Sequence, residues 1–174
     1  PADTCAYATT LTLCSGLAIV GSDSTERVAY ATAQPHELRY TGTGTAFDAQ
    51  SLTGVRFVGL LLRASSASLT GALIDADSSS YIYVDRCFLT GASQAGAATS
   101  SAISANGVVG LFITGSSIAR FGYHIYARTL STEETNIVSI TDTGFYQAEV
   151  CSIQNAGDTW DVRSSFWQQQ GAAD

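Results

Sequence analysis

The 174 residues include 45% hydrophobic and only 13% charged side chains, too apolar for a disordered chain and long enough to bury one core. The net charge is −7 and all eight basic residues are arginine, so there is no basic stripe of the kind nucleic-acid binding needs. No apolar run reaches the length of a membrane span, and the four cysteines lack CxxC spacing, which argues against a zinc site.

The opening "PADTCAYATTLTLC" has neither the charged nor the apolar region of a signal peptide. The chain has no methionine, which leaves open an initiator removed before Pro1 or a longer parent chain. Cys5 and Cys14 lie close enough in sequence to pair; Cys87 and Cys151 are far apart. Residues 1–35 are expected to form an N-terminal cap and a first coil, residues 36–168 a repetitive body, and residues 169–174 a polar tail.

The body repeats itself. "AFDAQ" from Ala46, "LIDAD" from Leu73, "AISAN" from Ala102 and "HIYAR" from His124 align, with Phe47, Ile74, Ile103 and Ile125 in one column. Ala49, Ala76, Ala105 and Ala127 fill another. Between them recur "VRFVGLLL", "IYVDRCFL", "LFITGSSI", "VSITDTGF" and "WDVRSSFW". Their apolar anchors are Phe57, Val84, Ile113, Ile140 and Val162, spaced 27, 29, 27 and 22 residues apart. A second apolar place follows each anchor, at Leu61, Phe88, Ile118, Phe145 and Phe166.

Both series alternate with period two, the mark of a strand, and neither carries a helical stripe. A period of roughly two dozen residues lies in the solenoid range. One coil of short strands cannot bury its inner face alone. Stacking coils about 4.8 Å apart pairs the strands in parallel and lines like residues into ladders. The fold class expected is all-β, a single parallel solenoid of about five or six coils.

These columns, with the entry phrase "SGLAIVGSD … LRYTGTGTAFDAQ", resemble the right-handed parallel β-helix family of pectate lyases, polygalacturonases and phage tailspikes. The resemblance covers roughly Leu38 to Trp167. It implies a right-handed β-helix, and the tailspike members add the expectation of a homotrimer.

Four groups are candidates for chemistry. Asp85, Arg86 and Cys87 stand together, but Cys87 aligns with Ser117, Gly144 and Ser165, so it reads as a small turn residue. It also has no histidine nearby to activate a thiol. Asp48 and Asp75 hold one outward column in consecutive coils, with carboxylates about 5 Å apart, near the separation that retaining glycosidases use. Asp77 follows on the same face, and the three could alternatively hold a hard cation or form a solvated acidic patch. His36 and His124 have no acid and nucleophile at a telling spacing. Tyr83, Phe112 and Tyr126 point outward, as sugar-stacking rings or as the core of a subunit interface.

The polygalacturonase motifs Asn-Thr-Asp, Asp-Asp, Gly-His-Gly and Arg-Ile-Lys are absent. With the resemblance, this favours a non-enzymatic structural protein of a bacteriophage virion: a capsid decoration or cement protein, or a segment of a tail spike or fibre. Expected partners are two further copies and other virion proteins such as capsid or tail subunits. The expected location is the virion exterior or the extracellular space, with no cofactor. The alternative is a polysaccharide lyase or glycoside hydrolase working through Asp48, Asp75 and Asp77 on a bacterial surface polysaccharide. A third reading is a non-catalytic glycan-binding module.

Overall fold

The computed structural model describes residues 3–21, 36–92, 100–127, 135–148, 150–154 and 157–168. In chain order, the first coil is β1 (Asp3–Tyr7), β2 (Leu11–Thr12) and β3 (Ala18–Val20), and the second is β4 (His36–Tyr40), β5 (Phe47–Asp48) and β6 (Arg56–Val58). Next come β7 (Leu61–Ala64), β8 (Ala72–Asp75) and β9 (Ile82–Asp85), then β10 (Phe88–Thr90), β11 (Ser101–Ser104) and β12 (Leu111–Thr114). The fifth coil is β13 (Ser117–Ala119), β14 (Tyr123–Tyr126) and β15 (Thr135–Thr141), and the sixth is β16 (Gly144–Tyr146), β17 (Cys151–Gln154) and β18 (Gly157–Arg163). A final strand, β19 (Phe166–Gln168), begins a seventh.

Every third strand stacks on its predecessor. The first sheet runs β1-β4-β7-β10-β13-β16-β19, the second β2-β5-β8-β11-β14-β17 and the third β3-β6-β9-β12-β15-β18. The pairings are parallel throughout, so the protein is an all-β solenoid of three stacked sheets among the described residues. Residues 3–20 already make a full coil, and the expected polar tail at 169–174 lies outside the described residues.

Two expected columns stand as ladders. Phe47 pairs with Ile74, Ile74 with Ile103 and Ile103 with Ile125, all fully buried. Phe57, Val84, Ile113 and Ile140 line up in the third sheet, likewise fully buried, with Val162 at the end. Each such side chain contributes about 1.5–3 kcal/mol on burial. The four alanines mark the corner after the second sheet, and all are fully buried.

The third column is corrected. Phe88 pairs with Leu61 and Ser117, whereas the inward ladder is Leu38, Leu62, Leu89, Ile118, Phe145 and Trp167. Leu62, Leu89 and Ile118 are fully buried, while Phe88 faces out and is half-buried. The expected series is therefore one residue early at Leu61, Phe88 and Phe166, and right at Ile118 and Phe145. Side chains alternate faces, so one step moves a residue from core to surface.

The same step corrects the neighbours of Cys87. Its column is Leu60, Cys87, Ser116, Thr143 and Ser165, not Ser117 and Gly144. Just before it, Gly59, Arg86, Gly115, Asp142 and Ser164 all take left-handed backbone, φ between 49° and 63°, which turns the chain from the third sheet into the first. Each following hydroxyl or thiol then donates to the carbonyl two residues back: Cys87 Sγ to Asp85 O at 3.4 Å, Ser116 Oγ to Thr114 O at 2.9 Å, Thr143 Oγ1 to Thr141 O at 3.0 Å. Cys, Ser and Thr are interchangeable at the bend because each supplies that donor, while Leu60 fills the same place with a buried apolar side chain.

Candidate functional site

Two outer surfaces carry the expected site residues. On the second sheet, Asp48, Asp75, Ser104 and Tyr126 form one outward column. Asp48 accepts from the backbone N–H of Gln50 at 3.2 Å, and Gln50 Nε2 donates to Asp75 Oδ2 at 2.7 Å. Burial, and then the neighbouring charges of Asp77 and Asp48, raise the Asp75 carboxyl above its ordinary range, against hydrogen bonds from Asp77 N–H and Gln50.

Asp77 has a different fate. Ala76 turns inward between it and Asp75, which places Asp77 at the corner. Its carboxylate reaches the next coil and accepts from Ser104 Oγ at 2.7 Å, Asn106 N–H at 2.9 Å and Asn106 Nδ2 at 2.9 Å. Three donors on one carboxylate make Asp77 a clamp between coils three and four. Replacing Asp77 with alanine is expected to cost about 2–3 kcal/mol, since hydrogen bonds to charged groups are worth more than neutral ones. Urea unfolding reads this directly; a loss no larger than that of an ordinary surface substitution would remove the clamp. Among the described residues, no group of three or more His, Cys, Asp or Glu is placed to hold a metal ion.

On the third sheet, Arg56, Tyr83 and Phe112 form an outward column. The Tyr83 and Phe112 rings stack with centroids 5.1 Å apart and planes at 15°. Arg56 Cζ lies 4.4 Å from the Tyr83 centroid, a cation–π contact. Tyr81 flanks the stack. Its column holds Gly16 and Gly54 in the earlier coils, both with left-handed backbone, and Tyr81 keeps that conformation at φ 60°. A bulky residue there carries strain of about 1–2 kcal/mol. Tyr81 is 47% exposed. In the next coil the column holds Gly110, where an added Cβ would come 2.9 Å from the Phe112 ring and 3.3 Å from that of Tyr81. Glycine there lets the two rings close over the backbone.

Tyr126 stands apart from this cluster. It is in the second sheet, tilted against Tyr123 at 4.8 Å. The structure thus joins Tyr83 and Phe112, and sets Tyr126 with the Asp48 and Asp75 column. Arg56 is the member the sequence reading missed; Tyr81, an aromatic that the sequence places near a coil junction, joins the cluster from there. The signal for Arg56 was its place in the Tyr83 column; for Tyr81 it was the run of glycines in its own.

The remaining candidates are quiet. Burial pushes the Cys87 thiol up to about 12, so it is not a nucleophile at neutral pH. Cys5 and Cys14 are exposed, unpaired thiols. His124 is fully buried, with Nε2 3.0 Å from Tyr146 O and its ring stacked on Phe145. His36 lies in β4.

No protein-family model, no curated protein and no solved structure matches this chain.

Proposed function

We propose that the chain is a non-enzymatic structural protein, a right-handed β-helix that assembles as a homotrimer through the outer face of its third sheet. The stack of Arg56, Tyr83 and Phe112, with the strained and exposed Tyr81 beside it, carries this reading. Aromatic rings and arginine are the residues enriched in the cores of protein interfaces. Right-handed winding follows the chirality of parallel crossovers, about 98% of which are right-handed. A place on the exterior of a bacteriophage particle, against capsid or tail subunits, rests on the tailspike resemblance.

Light scattering is expected to give a mass near three times 18.2 kDa. The double variant Tyr83→Ser/Phe112→Ser is expected to be a folded monomer. Tyr81→Gly should relieve backbone strain yet weaken the trimer, a combination that a purely structural role for Tyr81 would not produce. A parent protein that is monomeric at micromolar concentration overturns the reading.

One observation favours a second reading, cleavage of a polysaccharide. A carboxyl with a raised pKa beside an acidic neighbour is the arrangement of a general acid, and Asp75 next to Asp48 has it. Release of reducing ends or unsaturated products from bacterial polysaccharides, lost in Asp75→Ala, is the expected result on that reading. Activity that survives the substitution removes it.

A further inference from the structure

The outer face of the first sheet carries a different cluster. Two columns run side by side there, Glu37, Leu61 and Phe88 in one and Arg39, Arg63 and Thr90 in the other. Glu37 Oε1 accepts from Arg39 Nε at 2.7 Å and from Arg63 Nε at 2.9 Å, while Glu37 Oε2 accepts from Arg39 Nη2 at 3.1 Å. The Glu37 side chain is only 10% exposed, and those of Arg39 and Arg63 are 41% and 37% exposed. The Arg39 hydrogen bond holds the Glu37 carboxyl below its ordinary range, so it stays ionised and both guanidiniums stay fixed.

Each guanidinium turns its Nε side to Glu37. Among the described residues, Nη1 of Arg39 and both terminal nitrogens of Arg63 have no partner. The trio keeps a net charge of +1 on a chain of −7. An ordinary surface arginine would lose rotamer freedom on binding a ligand, whereas these two have lost it already to Glu37. Arg163 shows the contrast: it pairs with Asp161, yet its side chain is 73% exposed.

We propose that Arg39 and Arg63 form a binding site for the oxyanion of a ligand, a carboxylate, sulfate or phosphate held by the guanidinium edges that Glu37 leaves free. The planar fork of N–H donors suits such a group. Beside it lie the buried Leu61 and the half-buried ring of Phe88, so the body attached to the oxyanion is expected to present an apolar face to that ring, as the C–H face of an acidic sugar does. The site lies on a different sheet from the aromatic stack and does not depend on the trimer.

The test is a titration of the full chain with inorganic phosphate and, separately, with D-glucuronate, at constant ionic strength. Arginine Nε–H resonances report it. Saturable shifts at Arg39 and Arg63, with none at Arg163, are expected. Arg63→Gln should weaken binding about tenfold or more, and Arg63→Lys, which keeps the charge but not the fork, nearly as much. Circular dichroism establishes that both variants are folded. Phe88→Ala should weaken glucuronate binding alone if the ring body is recognised; equal affinity for both probes, unmoved by Phe88→Ala, assigns the site to the oxyanion alone. Shifts that fail to saturate, that appear equally at Arg163, or that survive in folded Arg63→Gln overturn the proposal.

Discussion

Leu89→Ala is expected to lower the unfolding free energy by about 2–5 kcal/mol, and Phe88→Ala by about 1 kcal/mol. Leu89 has no solvent exposure and stands between Leu62 and Ile118 in the inward ladder of the first sheet. Its backbone is paired on both sides, to β7 and to β13, so the chain cannot close over the missing side chain. The cavity term then adds to the lost transfer energy. Phe88 is larger, but its ring faces out over Leu61 and Ser117. Parallel urea unfolding of the two variants decides the register. A loss at Phe88 equal to or above that at Leu89 would mean that the first sheet is set one residue away from the pairing described.

The second large effect is a response to acid. His124 is fully buried, and burial lowers its pKa from 6.5 to about 4, opposed by the hydrogen bond to Tyr146 O. The unfolded chain therefore binds a proton at higher pH than the folded one. The full contribution of neutral His124 is present above about pH 6.5 and is lost as pH falls towards 4, a change of about 3 kcal/mol. His124→Leu should remove this part of the pH dependence. Leucine is the natural replacement because Leu73 fills the same column two coils earlier, fully buried. Other groups titrate too, and Asp75 works in the opposite direction because its raised pKa favours the folded state at low pH. The comparison is thus between parent and variant at each pH. Unfolding curves that fall equally with acid in both would show that His124 is already protonated in the folded protein or is reached by water.

Columns of Ile and Ala needed only the sequence to be seen, because parallel coils stack like on like and each ladder demands one size of side chain. The third column was harder to read. "GLLLRA", "RCFLTG" and "SSIARF" each hold adjacent apolar residues around the bend, so alternation alone left two registers open. The left-handed residue at Gly59, Arg86 and Gly115 decides between them, since it sets where the first sheet begins. Arg86 at a place where glycine also occurs gives little sign of its backbone in one coil read alone.

The candidate surfaces divide the same way. That Asp48, Asp75, Tyr83 and Phe112 face outward followed from alternation. That Asp77 is occupied by Ser104 and Asn106 did not, because the corner at Ala76 breaks the alternation and turns Asp77 towards the next coil. The grouping of Glu37, Arg39 and Arg63 was equally hidden, since 26 residues separate Glu37 from Arg63 in the chain. By itself, then, the sequence determined the period, the parallel stacking and two of the three inner ladders, all of which depend on patterns repeated along the chain. The tertiary structure alone decided the register of the third ladder and which polar groups neutralise one another. Those depend on distances between coils, which no local pattern records.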